Sequence, residues 1–265
     1  MKEKAGVGII LFFCIVFITG IFLSSRKNQS YSKPNIPQNN ESILPISNNW
    51  ATPSTQLIIA SEIKTNKNTE ISSGILVTDK GDNLLVLINK HIRLPANYEP
   101  ADLVDIGVLN KPGLRLRKEA ALALNNMLEA ARSEGANLAI VSAYRSYWQQ
   151  AATFQGWFNK EGIAAETFSA RPGHSQHQLG SAVDFTNLSA NQNFSEGFGA
   201  SVEGAWLASN AYKFGFVLSY PKGAEPITGY IYEPWHYRYI GIENALVLIQ
   251  SGLNLEEFLK KFGVA

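Results

Sequence analysis

The sequence of 265 residues contains a single cysteine, Cys14, inside an apolar N-terminal run. The remainder of the chain therefore offers no disulfide and no cysteine-based zinc site, and any metal must be held by histidine and carboxylate. The scarcity of thiols does not fix the compartment, because an exported protein without disulfides tolerates either redox environment. Charge of one sign is also lacking: the formal net charge is +1, with no long Lys/Arg run. Such a surface does not match a phosphate backbone, which argues against nucleic acid as a partner. No internal repeat is present. Histidine is scarce too, with only four in the chain: His91, His174, His177 and His236. What is there in ordinary amount is apolar residue, enough for a globular protein with a core.

Residues 5–23 (AGVGIILFFCIVFITGIFL) form one uncharged stretch, close to the ~20 residues needed to cross a hydrocarbon core. Residues 1–25 are read as an N-terminal membrane anchor, single-pass, with the folded part outside the cytoplasm. A cleaved signal segment is the competing reading, although its apolar core is usually ~7–15 residues. Leu11, Phe12 and Phe13 precede Cys14, so no lipid-attachment pattern surrounds it. Residues 26–55 are rich in Asn, Ser, Pro and Gln without helical or strand period, the composition of a flexible linker.

From residue 56 onward LIIASEI, GILVTD and NLLVLINK read as short strands separated by polar turns. Residues 56–83 are read as a small β region without an assigned role, and residues 84–265 as the functional domain. Ala121, Leu124, Leu128 and Ala131 follow helical spacing before Gly135, which predicts a helix from Arg117 to Glu134. NLAIVSAYR predicts a buried strand, SYWQQAATFQGWFNKEG a second amphipathic helix, Glu203–Phe214 a third, and PWHYRYIG another strand. Two short helices are predicted around Glu243–Gln250 and Asn254–Lys261. Strands and helices mix without regular βαβ alternation, so the expected class is α+β in one compact domain.

Three of the four histidines fall in two short segments. In RPGHSQHQLGSAVDF, His177 stands seven residues before Asp184 with Gly180 between them. A turn followed by a strand aims both side chains at one point. Zinc accepts imidazole nitrogen and carboxylate oxygen, and a catalytic site keeps three protein ligands and one open position. In GYIYEPWHYRYIG, His236 supplies a further imidazole, with Glu233 three residues earlier. A carboxylate beside a metal without binding it suits the general base of metal-assisted hydrolysis. Arg145, at the end of SAYRSYWQQ, offers a fixed charge for a carboxylate or an oxyanion. Each residue taken singly has a plainer reading: a structural His-Asp pair, Glu233 in a turn before Pro234, Trp235 and Tyr237 in the core, Arg145 in a surface ion pair.

Together, however, Ser175-x-His177-x-x-Gly180-x-Ala182-x-Asp184 and the later Glu233-x-x-His236 resemble the VanY-type D-alanyl-D-alanine carboxypeptidases. LVLINKHIRLPANYEPADLV resembles the family's lead-in segment and SAYRSYWQQ its Tyr-Arg-Ser block, so the likeness spans roughly Leu84 to Phe262. The resemblance implies the fold shared by zinc D,D-peptidases and the hedgehog signalling domain, with a metal cleft over an antiparallel sheet and flanking helices. It implies one zinc on His177, Asp184 and His236, Glu233 as catalytic base, and Arg145, Ser175 and Gln150 against the substrate, a peptidoglycan stem peptide. His174 is read as a loop residue outside the ligand set and His91 as a surface or packing residue. Tyr220 and Tyr230 are read as lining the cleft from their nearness in sequence.

The same catalytic groups serve an L,D-carboxypeptidase acting on the tetrapeptide, since the choice of bond depends on pocket shape. A wall-binding module that keeps zinc without catalysis is a rival of another class. The intact Glu233 argues against it. The sequence does not fix the oligomeric state.

Overall fold

The computed structural model describes residues 74–107, 111–187 and 194–265. The apolar N-terminal run, the linker and the strand expected at LIIASEI lie outside them. Among the described residues no helix is long and apolar enough to cross a membrane.

The centre is a four-stranded antiparallel sheet. Its strands are β5 (Leu138–Ser142), β6 (Ala182–Asn187), β7 (Phe216–Leu218) and β8 (His236–Tyr239), in the order β5-β6-β8-β7. Two smaller pairs precede it: β1 (Leu76–Val77) beside β2 (Ile92–Arg93), which is parallel, and β3 (Leu103–Asp105) against β4 (Arg115–Arg117), which is antiparallel. The sheet is buried against α1 (Lys118–Ser133), whose buried residues Ala120, Ala121, Leu124, Met127 and Ala131 recur every three or four positions. That spacing makes one apolar stripe, which packs in the same cluster as Ile140, Val183, Phe185 and Phe216 of the sheet. Leu124 and Met127 are fully buried, a contribution of roughly 1.5–3 kcal/mol each from burial alone.

The helix expected after SAYR is α2 (Tyr147–Glu161). Ser146 starts it with a capping box: its hydroxyl accepts from the Gln149 N–H, and the Gln149 side chain accepts from the Ser146 N–H. α3 (Val202–Asn210), the short α4 (Glu225–Thr228), α5 (Ile242–Ser251) and α6 (Leu255–Phe262) follow. The predicted third helix is split, with a 3-10 turn over Ala211–Phe214 that ends at Gly215.

The expected strand at NLLVLINK does not form. Val86 makes a single bridge to Val264, and the rest of the run turns. Its side chains still alternate, Val86 and Ile88 entering one apolar cluster and Leu87 another. The carbonyls of Leu84 and Val86, however, accept from the buried Arg238 guanidinium at 2.9 and 2.8 Å rather than from a neighbouring strand. A tertiary side chain occupies the place of a ladder partner, so β-branched composition is satisfied without a sheet.

Candidate active site

The sheet register brings the chemistry together. Asp184 in β6 stands opposite His236 in β8 and, on its other side, opposite Ser142 at the end of β5. His177 arrives from a 3-10 turn, Gln176–Leu179, started by Ser175 and ended by Gly180 in the left-handed region at φ 66°. A side chain at Gly180 would also come within 2.8 Å of Leu103 Cδ2, so glycine alone suits this sharp turn into β6. The turn and strand predicted from the sequence are thus both present.

His177 Nε2 lies 3.0 Å from Asp184 Oδ2, and His236 Nδ1 lies 2.9 Å from Asp184 Oδ1. One ligand atom from each of the three residues falls within 4.8 Å of the others, and all three residues are buried. The outward ring nitrogens are already engaged. His177 Nδ1 is 2.7 Å from the Ala143 carbonyl, and His236 Nε2 is 3.2 Å from Gln176 Oε1, which also accepts from the Ser219 hydroxyl. Those outer partners are acceptors, so each neutral ring donates outward and turns a lone pair inward. Two inward lone pairs then face a carboxylate that itself only accepts. Burial, followed by the nearby Arg145 charge, pushes the His177 imidazole down to about 4, so protonation of the ring does not resolve that conflict at neutral pH. Burial alone would raise the Asp184 carboxyl; its two histidine neighbours outweigh burial and hold it below the usual carboxylate range when a proton or a cation lies between a ring nitrogen and the carboxylate. A cation among the three resolves it. Two nitrogens and one oxygen are a donor set that zinc accepts.

Arg145 sits beside this centre, 3.5 Å from Asp184 Oδ2 through Nη2. Its guanidinium is fixed by bonds to Gln150 Oε1 at 2.7 Å and Ser142 Oγ at 3.0 Å. Gln150 is 1% exposed and gives its Nε2 to the Ala170 carbonyl, so in this structure its amide holds Arg145 in place. Ser175 Oγ accepts the His177 N–H at 3.3 Å. Glu233 is buried three residues before His236, in the segment that leads into β8. Burial, and then the negative charge of Asp184, raise its carboxyl well above the usual range, against the opposing charges of Arg145 and Lys90.

All of these groups line one cavity of about 650 Å³. Tyr220 and Tyr230 are on its wall, with Tyr220 stacked on the His236 ring at 5.1 Å and 30°. His174 lies apart, its Nδ1 bound to the Asn89 carbonyl at 2.8 Å, and His91 is exposed in its loop. Sequence reasoning passed over Gln176, which orients His236, and Ser142, which orients Arg145. The available signal was that each ring and each fork needs an outer partner, and Gln176 adjoins His177 in sequence.

The VanY family, D-alanyl-D-alanine carboxypeptidase, matches residues 113–242. YodJ of Bacillus subtilis (strain 168), which carries a carboxypeptidase name, is 43% identical over 194 residues, covering 71% of each chain. The chain belongs to the VanY-type carboxypeptidase family. A D-alanyl-D-alanine carboxypeptidase of Enterococcus faecalis (strain ATCC 700802 / V583) is 34% identical over 73% of each chain. Among solved structures, the LdcB LD-carboxypeptidase superposes with a TM-score of 0.68 at 41% identity, covering 75% of this chain and 94% of LdcB. A mutant of the vancomycin resistance D,D-pentapeptidase VanY in complex with Zn(II) gives 0.57 at 34% identity, covering 66% and 98%. These kinships make the protein a peptidase of a zinc-binding family that acts on peptidoglycan peptides.

Proposed function

We propose that this chain is a zinc-dependent carboxypeptidase that releases the terminal D-alanine of peptidoglycan stem peptides, with zinc on His177, Asp184 and His236 and Glu233 as base. The observation that carries the reading is the convergence of two inward imidazole nitrogens on one ionised carboxylate, beside a separate buried carboxyl, in one cavity. It is also supported by the Zn(II) complex of the VanY mutant and by a related VanY bound to D-alanine-D-alanine. Zinc held by those three groups supplies a Lewis acid that acidifies water and polarises a carbonyl. Glu233, poorly solvated and avid for a proton, takes one from the attacking water and later gives it to the departing amine. Arg145, held by Gln150 and Ser142, presents fixed positive charge to an oxyanion or to the peptide's carboxylate. Ser175 lines the same cavity as a substrate contact.

The motif serves the D,D bond of the pentapeptide and the L,D bond of the tetrapeptide alike. A specific observation favours the L,D bond of the tetrapeptide: likeness to LdcB, at TM-score 0.68 and 41% identity, exceeds that to the VanY mutant, at 0.57 and 34%. The uncharged apolar run of residues 5–23 supports a location of the domain outside the cytoplasmic membrane.

Incubation of the chain with pentapeptide and tetrapeptide stems, with and without a chelator, tests the reading by free D-alanine. Chelator-sensitive release is expected, and Glu233→Gln should lower it about 10²–10⁴-fold while zinc content stays equal. Normal turnover by a zinc-loaded Glu233→Gln protein would refute the role of Glu233. No release from folded, zinc-loaded wild type would favour a wall-binding module instead.

A further inference from the structure

A small cavity of about 60 Å³ adjoins the main one, and Ser169 and Tyr230 line both. Its other walls are Lys90, Glu166, Arg171 and His174. Arg171 is already paired with the Glu166 carboxylate. Lys90 is different. Its ammonium donates to the Glu166 main-chain carbonyl at 2.5 Å and lies 3.9 Å from the centroid of the Tyr230 ring. Among the described residues no carboxylate forms an ion pair with it.

Lysine is a flexible side chain, and fixing one costs rotamer entropy. Here the fixing is built into the fold. The Lys90 stem runs over Gly229, where a side chain would come within 2.5 Å of Lys90 Cε, and Gly229 ends α4 in the left-handed region at φ 70°. The preceding Asn89 is anchored three ways: its Oδ1 accepts the N–H groups of His91 and Ile92, and its Nδ2 donates to Glu256. The Asn89 carbonyl is further held by His174. From Lys90 a chain of ring contacts leads to the centre: Tyr230 is 4.8 Å from Tyr220, which stacks on His236. An ammonium so held, with donors unspent and no ion pair, although the charges of Glu166 and Glu233 reach it through space, is prepared for an anion that arrives from the main cavity.

We propose that Lys90 is a substrate-binding residue whose preorganised ammonium takes a carboxylate of the stem peptide at a second subsite, beyond Tyr230 from the metal centre. The inference rests on the peptidoglycan reading above. A stem peptide offers that chemistry from two sources, the free α-carboxylate of its γ-linked D-glutamyl residue and its terminal carboxylate. The shared chemistry is a carboxylate against a fixed ammonium.

The test is calorimetric binding to the zinc-loaded full chain carrying Glu233→Gln, which removes turnover and the titration of Glu233 from the readout. Three tetrapeptide stems are compared: the free acid, the glutamyl amide and the C-terminal amide. In the Glu233→Gln background the acid should bind about tenfold more tightly than the amide that lacks the recognised carboxylate. Adding Lys90→Met should abolish that discrimination, and Lys90→Arg should restore part of it. The amide that matters names the source. Discrimination unaffected by Lys90→Met, equal weakening of all three peptides, or no binding of any to the folded, zinc-loaded protein would overturn the proposal. Hydrolysis of the same peptides by wild type reports separately on the carboxypeptidase reading.

Discussion

The metal cradle and the segment that carries Lys90 are built in opposite ways. The cradle hangs on backbone register: Asp184 is opposite His236 and Ser142 in a four-stranded ladder, and His177 enters from the turn that begins β6. Residues 83–95 have only the two-residue pairing of β2 with β1, the bridge from Val86 to Val264 and scattered single main-chain bonds. They are held by side chains from elsewhere, by Arg238 on the carbonyls of Leu84 and Val86, by Glu256 on Asn89, and by Gln178 on the carbonyl of Pro95. A ladder fixes several atoms at once, which suits a site that must place three ligand atoms within a few tenths of an ångström. Side-chain ties fix one backbone point each, which suits a segment that need only present an ammonium. The two regions should therefore fail separately.

The largest effect should come from the cradle. Asp184→Asn exchanges an ionised oxygen donor for a neutral amide in a buried site, and leaves the sheet register intact. Zinc content should fall below one equivalent at micromolar metal, and D-alanine release should fall by at least about 10³-fold. Elemental analysis beside the turnover assay checks both. A full complement of zinc in Asp184→Asn would mean that the cation is held elsewhere.

A smaller effect, and the reverse pattern, should follow Asn89→Ala. Three hydrogen bonds are lost at a residue that is 5% exposed, and Glu256 keeps only Lys260 as partner. The expected cost is about 2–3 kcal/mol in denaturant unfolding. Zinc affinity should change less than about threefold, because the sites share no partner. Parallel loss of stability and of zinc affinity would erase the distinction between the two regions.

The same contrast explains what the sequence could reveal. α1 was legible because burial of Ala121, Leu124 and Ala131 is a local, periodic property. α2 was legible from the amphipathic pattern of SYWQQAATFQGWFNKEG, although Gln150 is its one fully buried residue. The meeting of Asp184 and His236 was not legible from spacing, since they are 52 residues apart and joined only by register. Family resemblance alone linked them. NLLVLINK was misread because its partner is a guanidinium 154 and 152 residues away. Lys90 was passed over altogether. Its distinction lies in Gly229, Tyr230 and Glu166, and nothing in its own neighbourhood announces them.

The subtlest prediction uses pH to compare the two carboxylates of the site in the metal-free protein. Asp184 is held below the usual range and Glu233 above it. In the unfolded chain a glutamate ionises near ~4.3. Between that value and the raised folded value, the unfolded chain has lost the proton that the native protein still holds. Stability therefore falls as pH rises through this window, by up to about 1.4 kcal/mol for each pH unit, and levels off above the folded value. Asp184 acts in the opposite sense, since its contribution is present above the unfolded value and is lost as pH falls through the folded one. His177, lowered to about 4, likewise adds stability as pH rises from there toward its ordinary value. Subtracting the unfolding curve of wild type from that of Glu233→Gln removes what the two proteins share and leaves Glu233 together with its coupling to Asp184. The difference should grow in favour of the variant from about pH 4 upward, and shrink when zinc is added, because a cation beside Glu233 stabilises its ionised form. Parallel curves for the two metal-free proteins would mean that Glu233 ionises like a solvated carboxylate and lacks the proton affinity that its role as base requires.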